Sequence, residues 1–423
     1  MAWEIAFLSI HGDPLAPLGG PHHGGQNVYV KELSRYLGAL GLTVDVYSRW
    51  ESKDQQLEKK YSRGTRVIRI PIGPAEILPK EQTLRLLPEI ASWIPRYQTE
   101  QGRSYRLIHS HYYFSGAAAV HLKSTRGIPL VHTFHSLGAI KEQALGNHDP
   151  SPSTRVAIER RICQAADRII ATNPQEKIDL IEHYQTHPEK IAVIPCGVNL
   201  SLFQPRDQIE AKKAIGYTPE DFLITYVGRL EERKGIDTLL EAVSRINEPG
   251  IQVVIVGGPP VSKPFLSWMD LEEEPFHTYQ QLIEQLGLEN RVTFTGGKPQ
   301  QVLPGYYSAA DATVVPSYYE PFGLTAVEAL ACGSSVIASR VGGLKSTIKE
   351  GQVGALFEPR SAAELAEKIK IYRDSPDMVA EYRRAARPYV EENFSWKVVT
   401  RQVANLYGSL LEENPSISSR ARP

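Results

Sequence analysis

A chain of 423 residues exceeds what one hydrophobic core usually supports, so two α/β domains are expected. Its 47 lysines and arginines against 48 acidic residues leave a net charge of −1, which excludes the basic footprint of a non-specific nucleic-acid binder; any cation that matters must act locally. The three cysteines, Cys163, Cys196 and Cys332, are odd in number and set in apolar context, which points to reduced thiols rather than a disulfide framework.

The chain opens MAWEIAFLSIHG, a first strand over 5–10 with no basic leader or cleavage site, and no apolar run reaches the length of a bilayer span. A soluble, cytoplasmic protein that binds no membrane is expected. Residues 28–40 (VYVKELSRYLGAL) have helical spacing, and 43–48, 67–70, 107–109, 130–133 and 168–172 read as strands. Strands separated by helices imply parallel βαβ units. The pattern breaks near Pro195-Cys196-Gly197 and restarts at Phe222, with strands over 223–227, 252–256, 292–294, 313–315 and 336–338 and a helix over 237–246. Two doubly wound Rossmann-like domains facing across a cleft are expected, 1–200 and 201–394, with a terminal helix over 395–411 that packs back on the first and a disordered tail.

Three motifs carry chemistry. The glycine-rich run Gly19–Asn27 lies between the first strand and the first helix, where backbone amides can approach an anion at a helix start. No GxGxxG stands in the needed register, so a nicotinamide site is not expected; the bland alternative is a flexible surface loop. The segment Gly228-Arg229-Leu230-Glu231-Glu232-Arg233-Lys234-Gly235 follows the first strand of the second half. Its Arg229 and Lys234 can converge on one diphosphate, as a planar fork and a point charge, or can belong to a solvated turn. The third motif, TVVPSYYEPFGLTAVEALACGS over 313–334, reads strand, loop, helix. Its loop, Glu320-Pro321-Phe322-Gly323-Leu324, falls at a strand's carboxyl end, where open α/β sheets bind ligands, and its two carboxylates, Glu320 and Glu328, are spaced to reach a transferred group and a diol; otherwise they are surface glutamates on a capped helix.

Histidines 109, 111, 132 and 135 follow strands and can also be read as zinc ligands, which makes a metal-dependent hydrolase the rival; no spacing places a third ligand. Asp270 and Glu272–Glu274 form an acidic run in an apparent loop and read as a solvated face, and no Asp-x-Asp at a strand end stands ready to hold a divalent ion on a diphosphate.

GRLEERKG, the EPFGLTAVE loop and GGQNVYVKEL together resemble the retaining, nucleotide-sugar-dependent glycosyltransferases of the GT-B fold, over essentially the whole chain. Within that group, HSHYYFSG (109–116), VHTFHSLGAIKEQAL (131–145) and GPAEILPK (73–80) resemble sucrose-phosphate synthases, with D-inositol 3-phosphate glycosyltransferases second. The first reading implies glucose transfer from UDP-glucose to fructose 6-phosphate, the second a UDP-N-acetylglucosamine donor; the Ser136-Leu137-Gly138 form of its loop favours the first. The short 19–23 stretch departs from many sucrose-phosphate synthases. The resemblance implies that Arg229, Lys234 and the amides of Gly24-Gly25 and Gly323-Leu324, beside Phe322, hold the donor diphosphate, Glu328 the ribose, and the Gly297-Lys298-Pro299 loop the base. It places Glu320 and His132 on the transferred sugar, and Lys80, Tyr112, Thr133 and Arg155, with Gln26, Asn27 and Lys141 nearby, at the acceptor phosphate. It also implies front-face attack, with no cofactor and no essential metal. A nucleotide-sugar epimerase or a sensor without turnover shares the fold but leaves the acceptor cluster without a purpose.

Overall fold

The computed structural model describes residues 3–16, 24–146, 154–246, 248, 250–258 and 274–413, the side chains of Lys80 and of residues 274–276 excepted. The Gly19–His23 part of the glycine-rich loop and Asp270, Glu272 and Glu273 of the acidic run lie outside the described residues. The chain divides into two compact units, 1–197 with 396–423, and 198–395.

In the first unit the strands are β1 (Glu4–Leu8), β2 (Thr43–Arg49), β3 (Glu58–Ser62), β4 (Thr65–Ile70), β5 (Leu107–His111), β6 (Leu130–Thr133), β7 (Arg168–Ala171) and β8 (Ile191–Val193). They pair in the order β3-β4-β2-β1-β5-β6-β7-β8, parallel except for β3 against β4. The helices are α1 (Gly25–Ala39), α2 (Lys80–Glu100), α3 (Tyr112–Arg126), α4 (Gly138–Leu145), α5 (Arg155–Ala165) and α6 (Pro174–Tyr184). Lys80 is the first residue of the long second helix, directly after Pro79. Each central strand is buried on both faces, as in β5, where all five residues are enclosed, so the sheet demands the near-continuous apolar runs that mark it in the sequence.

The second unit holds α7 (Gln208–Ala214), β9 (Phe222–Val227), α8 (Ile236–Ser244), β10 (Ile251–Val256), α9 (Glu274–Gln285), β11 (Val292–Phe294), α10 (Leu303–Ala309), β12 (Ala312–Val315), α11 (Leu324–Ala331), β13 (Val336–Ser339), α12 (Leu344–Thr347), β14 (Gly354–Phe357), α13 (Ala362–Asp374) and α14 (Pro376–Asn393). Its parallel sheet runs β11-β10-β9-β12-β13-β14. The last helix, α15 (Trp396–Glu413), belongs to the first unit, where Trp396, Val399, Val403, Tyr407, Leu410 and Leu411 are buried. At about 1.5–3 kcal/mol for each large apolar side chain enclosed, that face is enough to hold the helix in place. No described helix is long and apolar enough to cross a membrane.

In each sheet the strand order reverses once, at β1/β5 and at β9/β12. Crevices at the carboxyl ends of strands flanking such a reversal are where doubly wound sheets take ligands. Gly24–Asn27, the described end of the glycine-rich run, and Tyr112 stand at the first reversal, and the Arg229–Gly235 and Glu320–Leu324 loops at the second.

Candidate active site

In the second unit, the loop after β9 passes through a short turn, Glu232–Lys234, and then Gly235 at φ +67° before α8. A Cβ at Gly235 would stand 2.0 Å from Pro316 O, so glycine is what lets this loop pack on the end of β12. That contact brings two distant loops together. Lys234 Nζ meets Glu320 Oε2 at 2.5 Å, with both side chains largely enclosed. Arg229 and Arg233 both pair with Glu231, each at 2.7 Å, and Arg229 remains the exposed member. Lys234 lies in the turn rather than at the helix start, two residues before α8.

Three cations thus face two carboxylates. Burial would raise the Glu320 carboxyl, but Lys234, then Arg233, and an amide bond from Gly323 outweigh it and hold Glu320 below the usual carboxylate range. Burial also lowers the Lys234 ammonium, against the pull of Glu320. Gly323, at φ +97°, ends the loop as the N-cap of α11. Beneath it, Gly343 donates its N–H to Glu320 O at 3.0 Å, and Thr347 Oγ1 donates to Phe322 O at 3.0 Å, so the backbone of the loop is fixed from below. The Phe322 side chain is buried against Phe394. Glu328, one turn into α11, accepts from Tyr307 OH (2.9 Å) and Gln300 Nε2 (3.3 Å), and burial, opposed by those two bonds, raises its carboxyl to about 7. Gly297 and Lys298 are exposed, and the Lys298 side chain borders a cavity of about 550 Å³ with Arg206, Val302 and Tyr306.

In the first unit the residues expected at the acceptor phosphate are largely enclosed. Arg155 is 1% exposed, paired with Glu159 at 2.7 Å and lying over the rings of Tyr112 and Tyr113. Tyr112 itself sits at φ +69° and His135 at φ +62°, two non-glycine residues held in left-handed backbone at the carboxyl ends of adjacent strands. Thr133 is fully buried and bonds His109 Nε2 at 2.8 Å. Asn27 is spent on capping α1: its Oδ1 accepts the Gly24 N–H (3.0 Å) and its Nδ2 donates to Asp13 O (2.8 Å). The Gly24 amide is therefore taken, while Gly25 is the first residue of α1. Gln26 Nε2 reaches Ser9 Oγ at 3.2 Å, and Lys141 lies half-buried on α4. The Lys80 side chain is outside the described set.

The His132 side chain, expected on the transferred sugar, has no exposed surface, with Nδ1 bonded to Ser110 Oγ at 2.7 Å and the ring edge-on to Phe134. The zinc reading fares no better: among the described residues no three His, Cys, Asp or Glu side chains gather around a metal position. Both His109 nitrogens are engaged, by Tyr407 and Thr133, and His111 Nδ1 pairs with His135 Nε2 at 3.1 Å. Residues that sequence reasoning passed over are Glu231 and Arg233, which divide the charge of the β9 loop, Tyr307 and Gln300, which hold Glu328, and Glu159, whose i, i+4 spacing from Arg155 was the available signal.

Residues 207–389 match the family model described as glycosyl transferases group 1, and residues 23–202 match that of glycosyltransferase family 4. Among solved structures the chain resembles a sucrose-phosphate synthase from Thermosynechococcus elongatus, with 35% identity, a TM-score of 0.88, and coverage of 97% of this chain and 100% of that one. Among curated relatives it is 34% identical to D-inositol 3-phosphate glycosyltransferase 2 of Catenulispora acidiphila, over 97% of this chain and 96% of the relative. The D-inositol 3-phosphate glycosyltransferase of Geodermatophilus obscurus is also 34% identical, over 99% and 92%.

Proposed function

The chain belongs to the group 1 glycosyltransferases of the GT-B fold, and on that premise we propose that it is a sucrose-phosphate synthase, transferring glucose from UDP-glucose to fructose 6-phosphate with retention, to give sucrose 6-phosphate and UDP. The observation that carries the reading is full-length agreement with the Thermosynechococcus elongatus synthase, at a TM-score of 0.88, where seven other solved structures of 16–21% identity score 0.65–0.74. In this reading the departing UDP diphosphate meets Lys234 and Arg229, and negative charge developing on it is stabilised by cations already held in place. Glu320, kept ionised beside Lys234, faces the transferred glucose, and Glu328 takes the ribose hydroxyls. The donor phosphate oxygen takes the acceptor hydroxyl's proton as the glycosidic bond forms on the face the leaving group vacates, with no cofactor and no essential metal.

A second reading, glycosyl transfer to D-inositol 3-phosphate, is favoured by the names of the 34% identical relatives, and the family resemblance implies N-acetylglucosamine as the sugar. A UDP-release assay pairing UDP-glucose or UDP-N-acetylglucosamine with fructose 6-phosphate or D-inositol 3-phosphate separates them. Turnover confined to UDP-glucose with fructose 6-phosphate, surviving EDTA, is expected. Turnover confined to the other pair replaces the first reading by the second.

A further inference from the structure

The cavity of about 550 Å³ beside Lys298 stands apart from the loops assigned to the donor diphosphate and ribose: none of Arg229–Gly235, Glu320–Leu324 or Glu328 lines it. Its lining comes from α7, from the residues just before it and from the approach to α10. These walls are fixed to one another. Arg206 N–H donates to Ser308 Oγ at 3.1 Å, Gln208 Nε2 donates to Asp311 Oδ1 at 2.9 Å, and the enclosed Lys212 ammonium pairs with Asp311 at 2.7 Å. A cavity whose walls are already held loses little freedom when a ligand enters, and its size falls among pockets that take small molecules, about 300–1,000 Å³.

Most cations at this junction are spent: Lys212 on Asp311, Arg383 on the carbonyls of Ser308 and Ala310, and Arg387 on those of Phe203 and Ala331. Arg206 and Lys298 differ. Both line the cavity, and among the described residues no hydrogen bond or ion pair engages either side chain. Arg206 Nη1 lies over Gly305, where a Cβ would stand 3.5 Å away. Two carboxylates also line the cavity. Asp207 Oδ1 accepts Glu210 N–H at 2.9 Å and Glu210 Oε1 pairs with Lys213 at 3.0 Å, so each keeps a second oxygen for hydroxyls. Ile215, Tyr306 and Val302, the last 43% exposed, supply an apolar wall. A planar fork and a point charge suit a phosphoryl group, carboxylate oxygens suit a diol, and an apolar wall suits a flat ring.

We propose that this cavity is a second ligand site, taking a nucleoside monophosphate with its phosphoryl group on Arg206 and Lys298, its ribose hydroxyls on Asp207 and Glu210, and its base against Tyr306 and Val302. Lys298 also links it to the donor. Gly297 N–H donates to Gly258 O at 3.0 Å, and Gln300 Nε2 reaches Glu328 Oε1 at 3.3 Å, so one short loop has Lys298 at the cavity and Gln300 on the carboxylate assigned to the donor ribose. A ligand that holds Lys298 holds that loop, and donor affinity rises. This second step rests on the reading above of where the nucleotide sugar binds; the site itself does not.

The test is titration of the full-length, methyl-labelled protein with AMP, under saturating UDP so that the donor site is filled, beside Arg206→Glu and Ala214→Glu, with thermal melting of each. AMP is expected to shift the methyl resonances of Ala211 and Val302, with affinity at least about tenfold lower in both variants, and with adenosine and ribose 5-phosphate each at least about tenfold weaker than AMP. No shift at millimolar AMP, or equal affinity in the folded variants, overturns the site; ribose 5-phosphate binding as tightly as AMP overturns the nucleoside in favour of a sugar phosphate. In turnover assays AMP is expected to lower KM for UDP-glucose about two- to fivefold in the wild type and not in Arg206→Glu. Binding with KM unchanged overturns the link through the loop, and a rise in KM in both proteins puts AMP in the donor site and overturns the proposal. If the protein uses another donor, KM for that donor is read instead. The titration needs no turnover, so a wrong assignment of the reaction and a wrong assignment of the cavity give different results.

Discussion

Lowering the pH from 6.5 to 5.5 should weaken the first unit and not the second. His109, His111, His132 and His135 are all buried there; burial first, and for the first three repulsion from neighbouring histidines second, lowers their pKa values, that of His135 to about 3. All four stay neutral in the folded chain across this window, whereas in the unfolded chain they take up protons below about 6.5. The unfolded state therefore binds more protons, and stability falls as pH drops through 6.5, by about 1 kcal/mol per histidine over this one unit, or about 4 kcal/mol together. Glu176, in the same unit, works the other way. Burial raises its carboxyl to about 7, so the folded chain holds a proton that the unfolded chain releases above its ordinary value of 4.5, and stability rises as pH falls. That returns about 1 kcal/mol and leaves a net loss of about 3 kcal/mol. In the second unit Glu328, also raised to about 7, contributes about 1 kcal/mol of added stability over the same step. Hydrogen exchange corrected for intrinsic rates reads the two units separately. Protection in β5 and β6 should drop by about two orders of magnitude while that in β12 and α11 holds or rises. Equal protection of β5 and β6 at both pH values would mean that the histidines are already charged or solvated in the fold, and the reasoning fails.

Lys234→Ala removes the cation at the β9/β12 reversal and should lower kcat by about two orders of magnitude or more with the fold intact by circular dichroism; near-normal turnover would remove the diphosphate from this point. Arg155→Ala should cost about 3–5 kcal/mol in chemical denaturation, because it leaves Glu159 buried without its cation, where a surface arginine would cost almost nothing. UDP affinity should strengthen as pH rises through about 7, as Glu328 ionises and becomes a pure acceptor for the ribose hydroxyls; Glu328→Gln should flatten that dependence, and an unaltered slope in the variant would place the titrating group elsewhere.

The sheets were legible because parallel strands enclosed on both faces must be apolar throughout, as in Ile251–Val256. β3 was not, since EKKYS lies antiparallel at an exposed edge and carries the charge an edge strand tolerates. Pro88 and Pro95 hid α2, which continues through both prolines and begins at Lys80. At the site, spacing delivered the loops but not the pairings. Lys234 and Glu320 stand 86 residues apart and meet only because β9 and β12 are neighbours, an order that no local pattern encodes. Arg155 makes the sharper case. RVAIERRI reads as a polar helix start, and a lone arginine there belongs in water. Here tertiary packing encloses it, and the sequence carries the compensation four residues on, in a glutamate whose partners at 138 and 184 come from two other helices. A charge can be buried only where enough bonds converge on it, and those bonds come from elements that no local pattern brings together.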